Sequence, residues 1–195
     1  MCAKRIAGAL IAASALGGAS FADDGAVRSF EALRLSAEMA RAGSAARDPL
    51  LLLAAARVRR SAPITFAADA DDRSAGWIAA AEAMAGDDPR IATLAADIRA
   101  EGRKGRIDGP RVSQARLAAG ERRRFTERFR AGRPAVVYVE GDGDTDLGLR
   151  VGAACRNLDP GDIKICSWTP SRAESVTVEI ANLGRVDNRV ILGMN

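Results

Sequence analysis

Gly141-Asp142-Gly143-Asp144-Thr145-Asp146-Leu147-Gly148-Leu149-Arg150-Val151-Gly152-Ala153 is the stretch whose reading decides the fold. Its first half is a turn rich in glycine and aspartate, residues that tolerate left-handed backbone and bond their own main chain. Its second half alternates. Leu147, Leu149 and Val151 fall on one side of an extended chain, and Gly148, Arg150 and Gly152 on the other. The same period of two recurs on both sides. Upstream are a weak strand over Arg111–Ala118 (Val112, Ala115, Leu117), a second over Arg122–Arg130 with Phe125 and Phe129 together, and a third over Arg133–Glu140 around Val136-Val137-Tyr138-Val139. Downstream are Ile163–Trp168, Ser175–Leu183 (Val176, Val178, Ile180) and Arg189–Met194 (Val190, Leu192). Gly, Asp, Asn and Pro turns separate them. About seven short strands at this spacing predict an antiparallel β-sandwich.

Before Arg111 the period is helical. Val27, Phe30, Leu33, Ala37 and Met39-Ala40 predict a helix over Ala26–Ala42, with Gly43 placed to close it in the left-handed conformation. Asp48-Pro49 reads as a helix start, the aspartate as N-cap and the proline at the first helical position. That helix runs through Leu50–Leu53 to about Arg60, is stopped by Pro63, and is apolar enough on all sides to sit centrally. A third helix is expected over Ser74–Ala85, closed by Gly86, and a fourth after Asp88-Pro89, with Ile91, Leu94, Ala95 and Ile98 on one face. The two Asp-Pro starts suggest a duplicated helical hairpin; an ordinary small bundle explains them as well. The fold class expected is therefore α+β: an N-terminal bundle of about four helices, then the sandwich.

The first residues have the form of a secretory signal peptide. Lys4 and Arg5 precede the uncharged apolar run Ile6–Leu16, and Ser20-Phe21-Ala22 puts small residues at the −3 and −1 positions of a cleavage site. The run is shorter than the about 20 residues that span a bilayer; an uncleaved anchor is the alternative. Cys2 precedes the run, where a lipoprotein cysteine would follow it. No later segment is apolar enough to cross a membrane, since Arg57, Arg59 and Arg60 end the greasiest one. The expected organisation is signal peptide 1–22, helical domain 23–104, a Gly-rich linker 105–110 and a β-sandwich domain 111–195. The protein is expected to be periplasmic or secreted.

Lys4 and Arg5 carry half of the net charge of +4, so the basic balance says little, and nucleic acid is not an expected partner. Arg122-Arg123-Arg124 reads either as a polyanion patch or as a solvated strand, the second being preferred. Past the leader, two cysteines remain. An even pair in an oxidising compartment predicts a Cys155–Cys166 disulfide; two buried free thiols in neighbouring strands are the alternative.

The C-terminal half resembles the bacterial pre-peptidase C-terminal-like domains, β-sandwich modules appended to many secreted proteins. The likeness rests on Gly132-Arg133-Pro134-Ala135, on Gly141 to Leu149, on Trp168-Thr169-Pro170 and on the closing Val178-Glu179-Ile180-Ala181-Asn182-Leu183-Gly184 and 188–195 blocks, in that order. It runs from Arg111 onward. The chain departs from the family pattern at Gly148, where the family has a second acidic residue, and at Val151–Cys155, where it has a longer turn. The resemblance implies a non-catalytic accessory module. The helical half resembles no family.

The chain contains no histidine. That removes Ser-His and Cys-His nucleophile pairs, imidazole bases and histidine-ligated zinc. No Gly-x-Ser-x-Gly elbow and no phosphate loop occur. The sharpest candidate site is Asp142, Asp144 and Asp146, alternate carboxylates in a glycine-rich turn that could converge on Ca²⁺, with Asp162 as an additional ligand. An EF-hand fails, because position six from Asp142 is Leu147 and position twelve is Ala153. The bland reading is a polar turn. Among 25 acids no pair stands out for glycoside hydrolysis. Trp77 and Trp168 are read as core residues before they are read as sugar platforms. The function expected is a structural or interaction role, with an envelope protein or a surface glycan as partner. No catalytic residue and no cofactor are assigned. The alternatives are a calcium-stabilised binding module and a carboxylate hydrolase of carbohydrate or peptidoglycan.

Overall fold

The computed structural model describes residues 24–68, 70–101 and 110–195. The expected signal peptide and the expected linker as far as Gly109 lie outside them. Four helices come first: α1 (Asp24–Ala46), α2 (Pro49–Ser61), α3 (Ser74–Ala85) and α4 (Pro89–Ala100). The strands are β1 (Thr65–Phe66), β2 (Arg111–Leu117), β3 (Arg122–Phe129), β4 (Ala135–Glu140), β5 (Leu147–Val151), β6 (Cys155–Asn157), β7 (Ile163–Trp168), β8 (Glu174–Asn182) and β9 (Asn188–Met194). The class is α+β, as the sequence predicts.

The two Asp-Pro starts work as expected. Asp48 Oδ1 accepts from the Leu50 and Leu51 amides at 2.9 and 3.1 Å, and Asp88 Oδ1 from the Arg90 amide at 2.9 Å, which satisfies donors that a first turn leaves free. Gly86 ends α3 with φ +61°. Gly43 does not end α1, which continues to Ala46; the left-handed turn falls on Arg47, φ 53°. Gly43 is instead a packing residue. A Cβ there would stand 3.1 Å from the Leu52 amide nitrogen and 3.2 Å from its Cγ, so the glycine lets α1 and α2 approach closely. Leu52, Leu53, Ala55 and Ala56 of α2 are buried with Ile78, Ile91, Ala95 and Ile98 of α3 and α4. Leu50, by contrast, is an exposed member of the leucine run.

The strands form two sheets, β1-β2-β9-β4-β7 and β3-β8-β5-β6. All seven expected strands are present, and two short ones join them. β6 pairs antiparallel with β5, whereas β1 pairs parallel with β2, Thr65 opposite Arg111. The sheet is therefore not wholly antiparallel. Neither short strand shows a period, since two or three residues cannot. Leu117, Phe129, Val137, Val139, Leu147, Leu149, Val151, Val178 and Ile180 fill the space between the sheets.

β4 departs from alternation: all six of its residues are buried. The reason is a third layer. Ala135, Val137 and Val139 face the other sheet, while Val136 and Tyr138 face outward into a second core with Val112, Ile191 and α1 residues Phe30 and Leu33. Phe30 stacks on Tyr138, ring centroids 5.8 Å apart. α1 lies so close that a Cβ at Gly193 of β9 would fall 2.3 Å from Phe30 Cε1. Gly193→Ala is expected to destabilise by about 1–3 kcal/mol, as overpacking does; unchanged urea unfolding of that variant would refute the contact.

Candidate functional site

Where the helical layer meets the end of β4, the sheet carries charge inward. β4 places Tyr138 and Glu140 on its helix-facing side, two residues apart. α2 brings Arg59 onto Glu140, with Nη2 at 2.8 Å from each carboxylate oxygen, and both side chains are fully buried. The Tyr138 hydroxyl donates to Glu140 Oε2 at 2.7 Å. Burial first, then the carboxylate, holds this phenol well above its usual range. Arg73, in the left-handed residue before α3 with φ 63°, adds its Nη1 at 3.3 Å from Glu140 Oε1. It also donates to the carbonyls of Gly141 and Arg189. One carboxylate thus joins α2, the α3 start and β4.

The network floors a cleft of about 520 Å³ between α1, α3 and the turn after β4. Ala37, Ala40 and Ser44 of α1 form a small-residue wall; Trp77, Arg41, Arg73 and Asp142 supply the larger groups. The half-buried Trp77 ring has the Arg59 guanidinium 4.8 Å from its centroid, a cation–π contact. Arg41 is ion-paired with the buried Asp162. Burial raises the Asp162 carboxyl above the usual carboxylate range, and Arg41 opposes this. Arg59 Nε and Nη1 and Asp162 Oδ2 have no hydrogen-bond partner among the described residues.

The aspartates singled out from the sequence go to different tasks. Asp142 Oδ2 accepts from the Arg189 amide at 2.9 Å, and Asp146 Oδ1 from the Gly161 amide at 2.7 Å. Asp144 lies against Asp142, whose hydrogen bond raises the Asp144 carboxyl. Asp142 and Asp144 are therefore together, Asp146 anchors the following loop, and Asp162 faces Arg41. Among the described residues no three His, Cys, Asp or Glu side chains form a metal-sized group. The described helices include none long and apolar enough to cross a membrane.

Cys155 and Cys166 form the predicted disulfide, Cα atoms 6.0 Å apart. It ties β6 of one sheet to β7 of the other. Trp168 packs on the sandwich core, edge to face with Phe129 at 4.6 Å. Arg122 and Arg124 pair with Glu179, and Arg123 with Glu121.

Sequence reading missed Arg41, Arg59, Arg73, Tyr138 and Glu140. One signal for them exists. Glu140 closes an apolar run, Val136 to Val139, and a strand buried on both faces leaves its terminal acid needing a cation.

No family model and no curated protein matches the chain. Several solved structures are similar to part of it, two of them as follows. One is a de novo designed double-stranded β-helix, at 15% identity and TM-score 0.32, with 44% of this chain and 99% of the design covered. The other is the capsular polysaccharide assembling protein CapF from Staphylococcus aureus, at 17% identity and TM-score 0.21. That match covers 43% of this chain and 24% of CapF, so the chain spans about a quarter of that protein's length.

Proposed function

We propose that the chain is a non-enzymatic interaction protein, exported to the periplasm or secreted, whose helix–sheet cleft takes a surface glycan. The leader-like Met1–Ala22 segment and the inter-sheet disulfide support export. The sandwich is read as a module of the pre-peptidase C-terminal-like kind, a non-catalytic accessory module. Glu140 and Asp162 near the cleft are already engaged by arginines, and the chain has no imidazole to move a proton. Such carboxylates are occupied holding the wall together.

The observation that carries the glycan is Trp77. Its indole lines a cleft of ligand size beside the planar heads of Arg41 and Arg73 and the small-residue wall of α1. An apolar ring beside fixed polar groups suits the apolar face and hydroxyl rim of a sugar. Titration of the mature protein with peptidoglycan fragments and neutral oligosaccharides, followed by tryptophan fluorescence and calorimetry, should give saturable binding. Trp77→Ala should weaken it about tenfold or more, a loss within the range for an aromatic contact, and Trp77→Phe should retain most of it. Wild-type protein that binds none of these glycans ends the reading. Cleavage of a bound glycan replaces it with the hydrolase.

A further inference from the structure

The helices cover the outer side of the five-stranded sheet. Among the described residues the outer side of the four-stranded sheet β3-β8-β5-β6 carries no such layer, and its register sorts the side chains into rows. Arg124, Glu179, Arg150 and Arg156 stand side by side across the four strands. Arg122, Ala181 and Gly148 form the next row, and Arg128 projects from the same side of β3. All five arginines are exposed. Glu179 is the acid among them. It pairs with Arg122 and Arg124, which with their hydrogen bonds hold its carboxyl below the usual range. Arg128, Arg150 and Arg156 have no side-chain partner among the described residues, so their charge is uncompensated.

One edge of this face is apolar. Leu158 and Leu183 are among the large exposed hydrophobic residues, 40% and 44% accessible. They close over Gly148, where a Cβ would stand 2.9 Å from Leu158 Cδ2 and 3.5 Å from Leu183 Cδ1. The glycine at this position thus seats two neighbouring leucines beside the arginine rows.

We propose that this face docks on an anionic phospholipid surface, the arginines meeting the headgroups and Leu158 and Leu183 entering the interfacial region. The inference does not depend on the glycan cleft, which lies on the other side of the molecule. A plane of like charge is complementary to an extended plane of opposite charge. Two exposed aliphatic side chains add the shallow apolar burial that an interface offers and a soluble polyanion does not. Charge and apolar contact together make the two signals that stable surface attachment needs.

The test is co-sedimentation of the mature protein with vesicles of phosphatidylglycerol and phosphatidylcholine in equal parts. Binding is expected there and not to pure phosphatidylcholine, and it should weaken at about 1 M salt, where the Debye length falls to about 3 Å. Arg150→Glu with Arg156→Glu should lower the partition coefficient about tenfold or more. Neither side chain holds a hydrogen-bond or ion-pair partner among the described residues. The exposed face should therefore tolerate the change with at most a small fall in melting temperature from the carboxylates set opposite Glu179, and circular dichroism separates binding from folding. Leu158→Ser with Leu183→Ser should lower partitioning about threefold or more while leaving the salt dependence in place. Equal binding to neutral vesicles overturns the proposal. So does unchanged binding of a folded Arg150→Glu/Arg156→Glu variant. Tighter binding to soluble alginate than to the vesicles at matched charge also overturns it, and assigns the face to acidic polysaccharide.

Discussion

Glu140→Gln should lower the unfolding free energy by about 3–5 kcal/mol, the range for breaking a buried ion pair by removing one partner. In a chain of this size that is a fall in Tm of roughly 10 °C or more. Arg59 and Glu140 are both sealed from water. Without the carboxylate charge, Arg59 keeps a buried cation whose Nε and Nη1 already lack partners. Tyr138 and Arg73 lose the same acceptor. Thermal unfolding by circular dichroism and urea titration read the effect. Arg59→Met with Glu140→Met should recover much of the loss, because a well-packed apolar pair replaces a buried ion pair at little cost. A loss below about 1 kcal/mol for Glu140→Gln would mean that the pair behaves like an exposed one.

The second large effect is expected from the disulfide. Cys155→Ala with Cys166→Ala should cost about 3 kcal/mol, the chain-entropy value for a loop of this length. The separation of 11 residues is short, but the bond crosses between the sheets, and Cys166 is itself part of the core. The urea midpoint should fall without a large change in near-native circular dichroism. Unreduced protein should resist alkylation at both cysteines. Free thiols in the unreduced protein, or a double variant as stable as the wild type, would contradict the clamp.

Much of the fold was legible because its rules are local. Alternation placed all seven longer strands, and Asp-Pro placed the starts of α2 and α4. What escaped depends on contacts distant in sequence. β1 exists because Thr65 meets Pro110 and Val112 meets Ala67 through main-chain bonds, and nothing within the dipeptide announces that. Gly43 carried the right residue type for a helix end, but the close approach of Leu52 decided its role. The candidate site was least legible. Arg41, Arg59, Arg73 and Glu140 are scattered through the chain, and only the docking of helices on β4 gathers them. Asp142, Asp144 and Asp146 are adjacent in sequence, yet backbone amides draw two of them to separate tasks.

The position of β9 bears on how the chain is made. It is the latest strand in order, yet it lies between β2 and β4, and its Gly193 receives Phe30 from the first helix. An emerging polypeptide therefore lacks the middle of its larger sheet, and the seat of α1, until residues 188–194 have appeared. Closure of the larger sheet and the docking of α1 wait for β9, and a nascent chain that lacks it is still loose enough to be threaded or captured.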